Sequence, residues 1–187
     1  NQIHELGLTM RTPGEDEQLV IGFLHSEGVI KSTDCFSSIE INDERVVVKL
    51  KDKTNFDPDE LSRRTTMTSS CGICGKESIS NLLHIHGPEL SQGFTIAHEA
   101  VRKAVTGLRS MQSTFDLTGG THACGRASIE GTIIDVREDI GRHNAMDKLI
   151  GTAIINNQIP IGQEIVVVSG RASFELVQKA LKAGFPI

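Results

Sequence analysis

Apolar residues three to four positions apart define the first element of this chain. Arg11-Thr12-Pro13-Gly14-Glu15-Asp16-Glu17 is followed by Leu19, Val20, Phe23 and Leu24. Acids in a first turn suit the positive end of a helix dipole, and the spacing predicts a helix running to about His25. Two short β-rich runs come next, Ser38–Ile41 and Arg45–Lys51, joined by Asn42-Asp43-Glu44, which predicts a hairpin. The segment from Asp52 to Ser70 is polar, carries Pro58 and contains Thr65-Thr66-Met67-Thr68-Ser69-Ser70. It reads as a connector. The expected division is a small N-terminal helix-plus-hairpin unit, residues 1–68, and a main domain, residues 69–187.

From Thr95 the pattern becomes regular. Ala97, Ala100, Val101, Ala104 and Leu108 share one helical face. Strands are expected at about Thr121–Ile129 and Thr132–Val136, turned at Glu130-Gly131. A helix over Arg142–Ile155 would point Ala145, Met146, Leu149, Ile150 and Ala153 inward. Ile165–Val168 is an unbroken, β-branched apolar run, typical of a strand buried on both faces, and Ser173–Ala183 reads as a last helix. The order helix, strand, strand, helix, strand, helix describes a layered α/β domain with a mixed sheet. No internal repeat or low-complexity tract interrupts it.

A length of 187 residues suits one sizeable domain, or one domain with a small appendage. With 38% hydrophobic and 23% charged residues, the composition is that of an ordinary soluble globular protein. Acidic groups outnumber basic ones, 24 to 19, for a net charge of -5. That balance argues against a charge-driven grip on nucleic acid, so any anion would be bound locally. No stretch approaches the ~18 continuous apolar residues that cross a bilayer. Position 1 is Asn rather than Met, and Ala183-Gly184-Phe185-Pro186-Ile187 resembles a loop entering a new strand. The chain is therefore expected to be a fragment that lacks its native N-terminus.

Four unevenly spaced cysteines make no disulfide framework for a domain this long, and a CxxC in such a chain points to sulfur, redox or metal chemistry in the cytosol. The pair lies in Cys71-Gly72-Ile73-Cys74-Gly75-Lys76. Glycines beside the cysteines leave the sulfurs uncrowded, and a helix beginning near Gly75 with Lys76 close by would favour the reactive thiolate. One thiolate can accept a sulfane sulfur as a persulfide, and the second can resolve it or help deliver it. Other readings stand beside this one. Zinc would need four ligands, and His84, His86, His122, Cys124 and His143 could join the pair. A thioredoxin-like dithiol normally follows a strand, and no clear strand precedes Cys71. An inert loop is the third. Cys35, beside Phe36 at a turn, reads as a small buried hydrophobe, and for Cys124 a core position is the default.

Two strand-to-helix loops suit an anion. The first is Arg137-Glu138-Asp139-Ile140-Gly141-Arg142-His143-Asn144, and the second is Ser169-Gly170-Arg171-Ala172-Ser173. Each places a Gly and an Arg at a helix N-terminus beyond the carboxyl end of a strand, where backbone N–H groups, the helix dipole and a forked guanidinium favour phosphate. Open α/β sheets bind ligands at that edge. The plain alternative is N-capping by Asn144 or Ser173 with solvated arginines, and His143 could be a local cap, an acid–base or a phosphate donor. Neither loop matches GxGxxG or the P-loop, so an ordinary dinucleotide or ATP site is not indicated.

Taken together, these residues resemble the FdhD family of formate dehydrogenase accessory sulfurtransferases. The matching stretches are Met10–Glu17 with Gly22-Phe23-Leu24 and Glu27-Gly28, Ser70–Gly75, Gly119-Gly120-Thr121-His122-Ala123, Arg137–Ala145 with Asp147-Lys148, and Ser169-Gly170-Arg171. The block from Arg137 to Lys148 is the most specific. The resemblance implies a cytoplasmic, often dimeric protein whose main domain is cytidine-deaminase-like. It implies sulfur received from a cysteine desulfurase and passed to the bis(molybdopterin guanine dinucleotide) cofactor destined for the formate dehydrogenase apo-enzyme. It puts the persulfide on Cys71, with Cys74 as its partner; Arg142, His143, Asn144, Gly170 and Arg171 would then line the cofactor's anion-binding cleft. No tightly held metal is expected. Part of the family's cofactor-binding region lies in a C-terminal stretch that this chain is expected to lack. The rival in enzyme class, a zinc deaminase, needs H-x-E and P-C-x-x-C. Here His122-Ala123-Cys124 has no Glu and Ser70 precedes Cys71, so deamination is rejected. The non-enzymatic rival is a zinc-stabilised scaffold that chaperones cofactor and apo-enzyme without moving sulfur.

Overall fold

The computed structural model describes residues 3–42, 45–51, 87–90, 93 and 95–187. Helix α1 spans Asp16–Ser26, and a 3-10 turn at Thr33–Cys35 leads into the hairpin β1 (Phe36–Ile41) and β2 (Val46–Leu50). Then come α2 (His98–Ser110), α3 (Ser113–Thr118), β3 (His122–Ser128) and β4 (Ile133–Asp139). The chain continues through α4 (Arg142–Ile155), β5 (Glu164–Val168) and α5 (Phe174–Ala183). The domain boundary expected near residue 68 and the Cys71–Cys74 loop lie outside the described residues.

The main sheet runs β4-β3-β5, and every strand pairing among the described residues is antiparallel. This corrects the expected mixed sheet. The β4–α4–β5 unit does carry two strands in the same direction, joined by a crossover helix. Strand β3 is inserted between them, so they never pair with each other.

Helices cover both faces of this sheet. On one side Ile165 and Val167 of β5 and Ala123 and Ala127 of β3 meet Ala104 and Leu108 of α2. On the other, Cys124, Val166 and Val168 meet Met146, Leu149, Ile150 and Ala153 of α4, with α1 and α5 packed behind. Strand β5 is thus apolar on both faces because both are covered. Helix α2 buries only a narrow stripe, Ala100, Ala104 and Leu108, one residue per turn. Val101, expected on that stripe, points away from it and is 40% exposed.

The tightest approach is between α1 and α4. A Cβ on Gly22 would lie 1.8 Å from the Asp147 carbonyl oxygen, and one on Gly151 would lie 1.9 Å from that of Gln18. Only bare backbone fits at this crossing. It brings Ser26 and Asp147 together, with the hydroxyl donating to Oδ1 at 2.8 Å, while Lys179 of α5 donates to both carboxylate oxygens at 2.9 Å. Asp147 and Lys179 are both buried; burial pushes the Asp147 carboxyl up, and the lysine opposes that rise.

Candidate functional site

The carboxyl ends of β4 and β5 and the start of β3 meet at one edge of the sheet. His122 pairs with Asp139, and Cys124 pairs with Val168, so both strand-to-helix loops and the first residue of β3 converge there. The first loop is shorter than its sequence suggests. Arg137, Glu138 and Asp139 belong to β4, and each has its charge engaged. Glu138 accepts from the Thr114 and Phe115 N–H groups at 2.7 and 2.9 Å and from the Thr121 hydroxyl at 2.9 Å, which caps α3. Arg137 bonds Thr152 at 3.1 Å and pairs with Glu15 at 3.0 Å.

Asp139, fully buried, is the hub of the turn. Its Oδ1 accepts from Gly141 N–H at 2.9 Å and Asn144 Nδ2 at 3.0 Å. Its Oδ2 accepts from Thr12 N–H at 3.0 Å and from the equally buried Lys148 ammonium at 2.8 Å. Lys148 also donates to the Thr12 carbonyl at 3.0 Å. Asn144 is neither an N-cap nor turned outward. It donates to the Met10 carbonyl at 2.8 Å, and the Thr9 hydroxyl donates to its Oδ1 at 3.4 Å. The N-terminal segment is thereby laced to the first turn of α4.

Ser173 caps α5, its hydroxyl accepting from Leu176 N–H at 3.4 Å. His143 reaches across from α4. Its Nε2 lies 3.1 Å from Ser173 Oγ and 3.3 Å from Glu175 Oε2. A contacting Ser, His and Glu would suggest nucleophilic catalysis, but both partners sit on the same ring nitrogen. A triad needs one at each nitrogen. Burial holds the His143 imidazole below its ordinary pKa. Glu175 pulls the other way, and Arg142, Lys179 and His122 add to the depression.

Gly170 lies between α4 and β3. A Cβ there would stand 3.3 Å from His122 Nδ1 and 3.5 Å from Cβ and Cδ of Arg142. The loop is pinned to the sheet at this point, since Ser169 N–H donates to the Ala123 carbonyl at 2.9 Å and Ala123 N–H to Ser169 Oγ at 2.8 Å. Of the expected cofactor ligands, Arg142 and Gly170 come together, with His122 beside them, whereas His143 meets Ser173 and Glu175, Asn144 turns to Asp139 and Met10, and Arg171 is exposed. A guanidinium among imidazoles suits an anion and opposes a metal cation. Among the described residues no group of His, Cys, Asp and Glu could hold a metal. Cys124 is buried with its thiol 3.4 Å from Met146 Sδ, and burial pushes its pKa up, so it behaves as the core residue expected. Cys35 is only partly buried, its edge packed against the core. Sequence reasoning named His122 as a metal candidate and within the family-like stretch Gly119–Ala123, not as a neighbour of Gly170. Nothing local signals its neighbours, because they come from strand pairing.

A family model described as the FdhD/NarQ family matches residues 2–187. The chain belongs to the FdhD/NarQ family. Among curated FdhD/NarQ relatives, a protein named sulfur carrier protein FdhD from Nocardia farcinica is 42% identical, over 97% of this chain and 68% of its own length. A protein of the same name from Sulfurisphaera tokodaii is 38% identical, over 96% of this chain and 68% of its own. A crystal structure of a candidate formate dehydrogenase accessory protein from Desulfotalea psychrophila superposes with a TM-score of 0.70 at 22% identity. It is matched over 96% of this chain and 66% of that one, and supports the fold. This chain thus spans about two thirds of the length of these relatives. Within the FdhD/NarQ block Arg137–Lys148, the structure separates two kinds of residue. Arg137, Glu138, Asp139, Asp147 and Lys148 hold the fold, while Arg142 packs beside Gly170 and His143 reaches Ser173 and Glu175.

Proposed function

We propose that this chain is a sulfur carrier serving formate dehydrogenase, with Cys71 as the sulfur-bearing thiol. The observation that carries the reading is membership of a family whose curated relatives are sulfur carrier proteins, together with the Cys71-Gly-Ile-Cys74 sequence. The donor in this reading is the persulfide of a cysteine desulfurase. The Cys71 thiolate attacks its outer sulfur, the desulfurase thiolate leaves, and Cys71 becomes a persulfide with no net oxidation. Attack by the Cys74 thiolate on the inner sulfur then forms a Cys71–Cys74 disulfide and releases the outer sulfur at the sulfide level, and a thiol reductant resets the pair.

The acceptor is the bis(molybdopterin guanine dinucleotide) cofactor, bound as a substrate. Its diphosphate groups suit a guanidinium such as that of Arg142, which starts α4 beside Gly170. Arg171 stands at the rim, while His143 and Asn144 hold the first turn of α4 in place. Helices on both faces of the sheet support the cytidine-deaminase-like layering. We place the chemistry in the cytoplasm, in a homodimer, where a reducing pool keeps both thiols available. Among the described residues no helix is long and apolar enough to cross a membrane.

The deciding experiment incubates the protein with a cysteine desulfurase and cysteine and follows it by mass spectrometry. One added sulfur atom on the peptide bearing Cys71 is expected, and Cys71→Ala should fail to activate formate dehydrogenase. A stoichiometric zinc ion lost on Cys71→Ala, with no sulfur uptake by the parent protein, would replace this reading with a zinc-stabilised scaffold.

A further inference from the structure

The sequence puts Asn144 among the cofactor ligands, yet both donors of its side-chain amide are already engaged. Its Nδ2 donates to the Met10 carbonyl at 2.8 Å and to Asp139 Oδ1 at 3.0 Å, and its Oδ1 accepts from the Thr9 hydroxyl at 3.4 Å. Among the described residues, Asn144 is the one hydrogen-bond partner of the stretch Gly7–Met10. Apolar burial does not hold this stretch either, since Leu8 is 94% exposed and Met10 79%. Its two ends are fixed. Leu6 packs against the main core. Thr12 is tied three times: its N–H donates to Asp139 Oδ2 at 3.0 Å, its hydroxyl accepts from Ile140 N–H at 2.9 Å, and its carbonyl accepts from Lys148 at 3.0 Å. Gly7 takes a φ of 151° and Gly14 a φ of 90°, values that side chains rarely adopt, so the backbone turns at a glycine on either side.

We propose that Gly7–Met10 is a strap that opens and closes as a unit against the first turn of α4, with Asn144 as its catch and Leu6 and Thr12 as fixed anchors. Release breaks two hydrogen bonds and exposes little new apolar surface, because Leu8 and Met10 already face solvent in the latched form. Segments with few buried contacts and exposed hydrogen bonds open locally, without the rest of the fold. Opening frees one donor of the Asn144 amide, while the buried Asp139–Lys148 pair stays in place. A ligand that takes Asn144 as a donor must first displace the Met10 carbonyl. It therefore binds only the open form, and its affinity falls with the fraction of the protein that is open. Asn144 is thus a gated donor rather than a standing one.

The chain has no Trp and no Tyr, so Leu8→Trp gives the whole chain a single indole fluorophore on the strap. Time-resolved anisotropy then separates nanosecond motion of the strap from tumbling of the whole molecule. In the Leu8→Trp protein most depolarisation should follow the tumbling. Adding Asn144→Ala should raise the open-to-latched ratio by about twofold to tenfold, the worth of an ordinary hydrogen bond, and enlarge the fast component. Gly7→Ala tests the hinge without touching Asn144. Its φ opposes a side chain, so the latched form should lose ground in the same direction. Thermal melts of both variants should stay cooperative. If Asn144→Ala does not fold, because its bond to Asp139 is lost as well, Gly7→Ala decides. A fast component equal in all the folded proteins would overturn the proposal. If small throughout, the segment is a rigid part of the fold; if dominant throughout, Asn144 holds nothing.

Discussion

Replacing Gly22 with Ala would put a methyl carbon 1.8 Å from the Asp147 carbonyl oxygen and 2.5 Å from its carbon. Real Cβ atoms essentially never come within 3.0 Å of such atoms, and 1.8 Å is 1.2 Å short of that. Both obstacles are backbone, so no rotamer change relieves the clash and the two helices must part. A gap of about 0.5–1 Å already forfeits a quarter to a half of the dispersion attraction across a contact. Here the loss would fall on Ile21 and Leu24 against Leu149, Ile150 and Ala153. The shift would also strain the Ser26–Asp147–Lys179 bonds, which span the same junction. Overpacking alone costs about 1–3 kcal/mol. We expect the upper end or beyond, about 3 kcal/mol, or a fall in Tm of roughly 6–12 °C for a domain this size. Differential scanning calorimetry measures it, with Gly162→Ala as control, because nothing lies within 4 Å of the added methyl. Gly151→Ala should behave like Gly22→Ala, and the double variant should lose less than the sum, since the first methyl has already opened the interface. A Tm within about 2 °C of the parent protein for Gly22→Ala would refute the close-crossing argument.

Asp139→Asn should be severe for an electrostatic reason. All four contacts of Asp139 come from donors, two on each oxygen, so an amide must turn its own N–H groups toward two of them and leave Lys148 buried without its counter-charge. Removing one partner of a buried pair costs about 3–5 kcal/mol, and urea unfolding at neutral pH should show it. His25 predicts acid sensitivity. Burial, with Lys182 and Lys179 adding to it, lowers its pKa from 6.5 to about 4, so the unfolded chain takes a proton that the native state refuses. The resulting stability is fully present above about pH 6.5 and is lost as pH falls toward 4, by about 3 kcal/mol in total. Urea midpoints measured across that window should fall for the parent protein and flatten for His25→Leu; parallel slopes would count against this account.

Elements with a strong local period were legible in the sequence. Helix α4 begins and ends where its spacing predicts, Ser173 caps α5 as its type suggests, and β1 pairs with β2 as a hairpin, Ile41 opposite Val46. Both strand-to-helix connections, β4 to α4 and β5 to α5, were also in view, because the strand and helix patterns on either side are local. Other features depend on partners far along the chain. The charged triplet Arg137-Glu138-Asp139 reads as loop, yet it is strand, since each charge finds a partner supplied by α3, α4 or the segment before α1. Asn144 meets Met10 across 134 residues, and Gly170 meets His122 only because β3 lies between β4 and β5. Helix α3 is short, and its first N–H groups are capped by Glu138 of β4 rather than by a residue of its own. Local periodicity selects each element at the scale of a turn or a pleat. Which buried charge is neutralised, and which side chains pack against Gly170, is set by pairings between distant segments that no local pattern encodes.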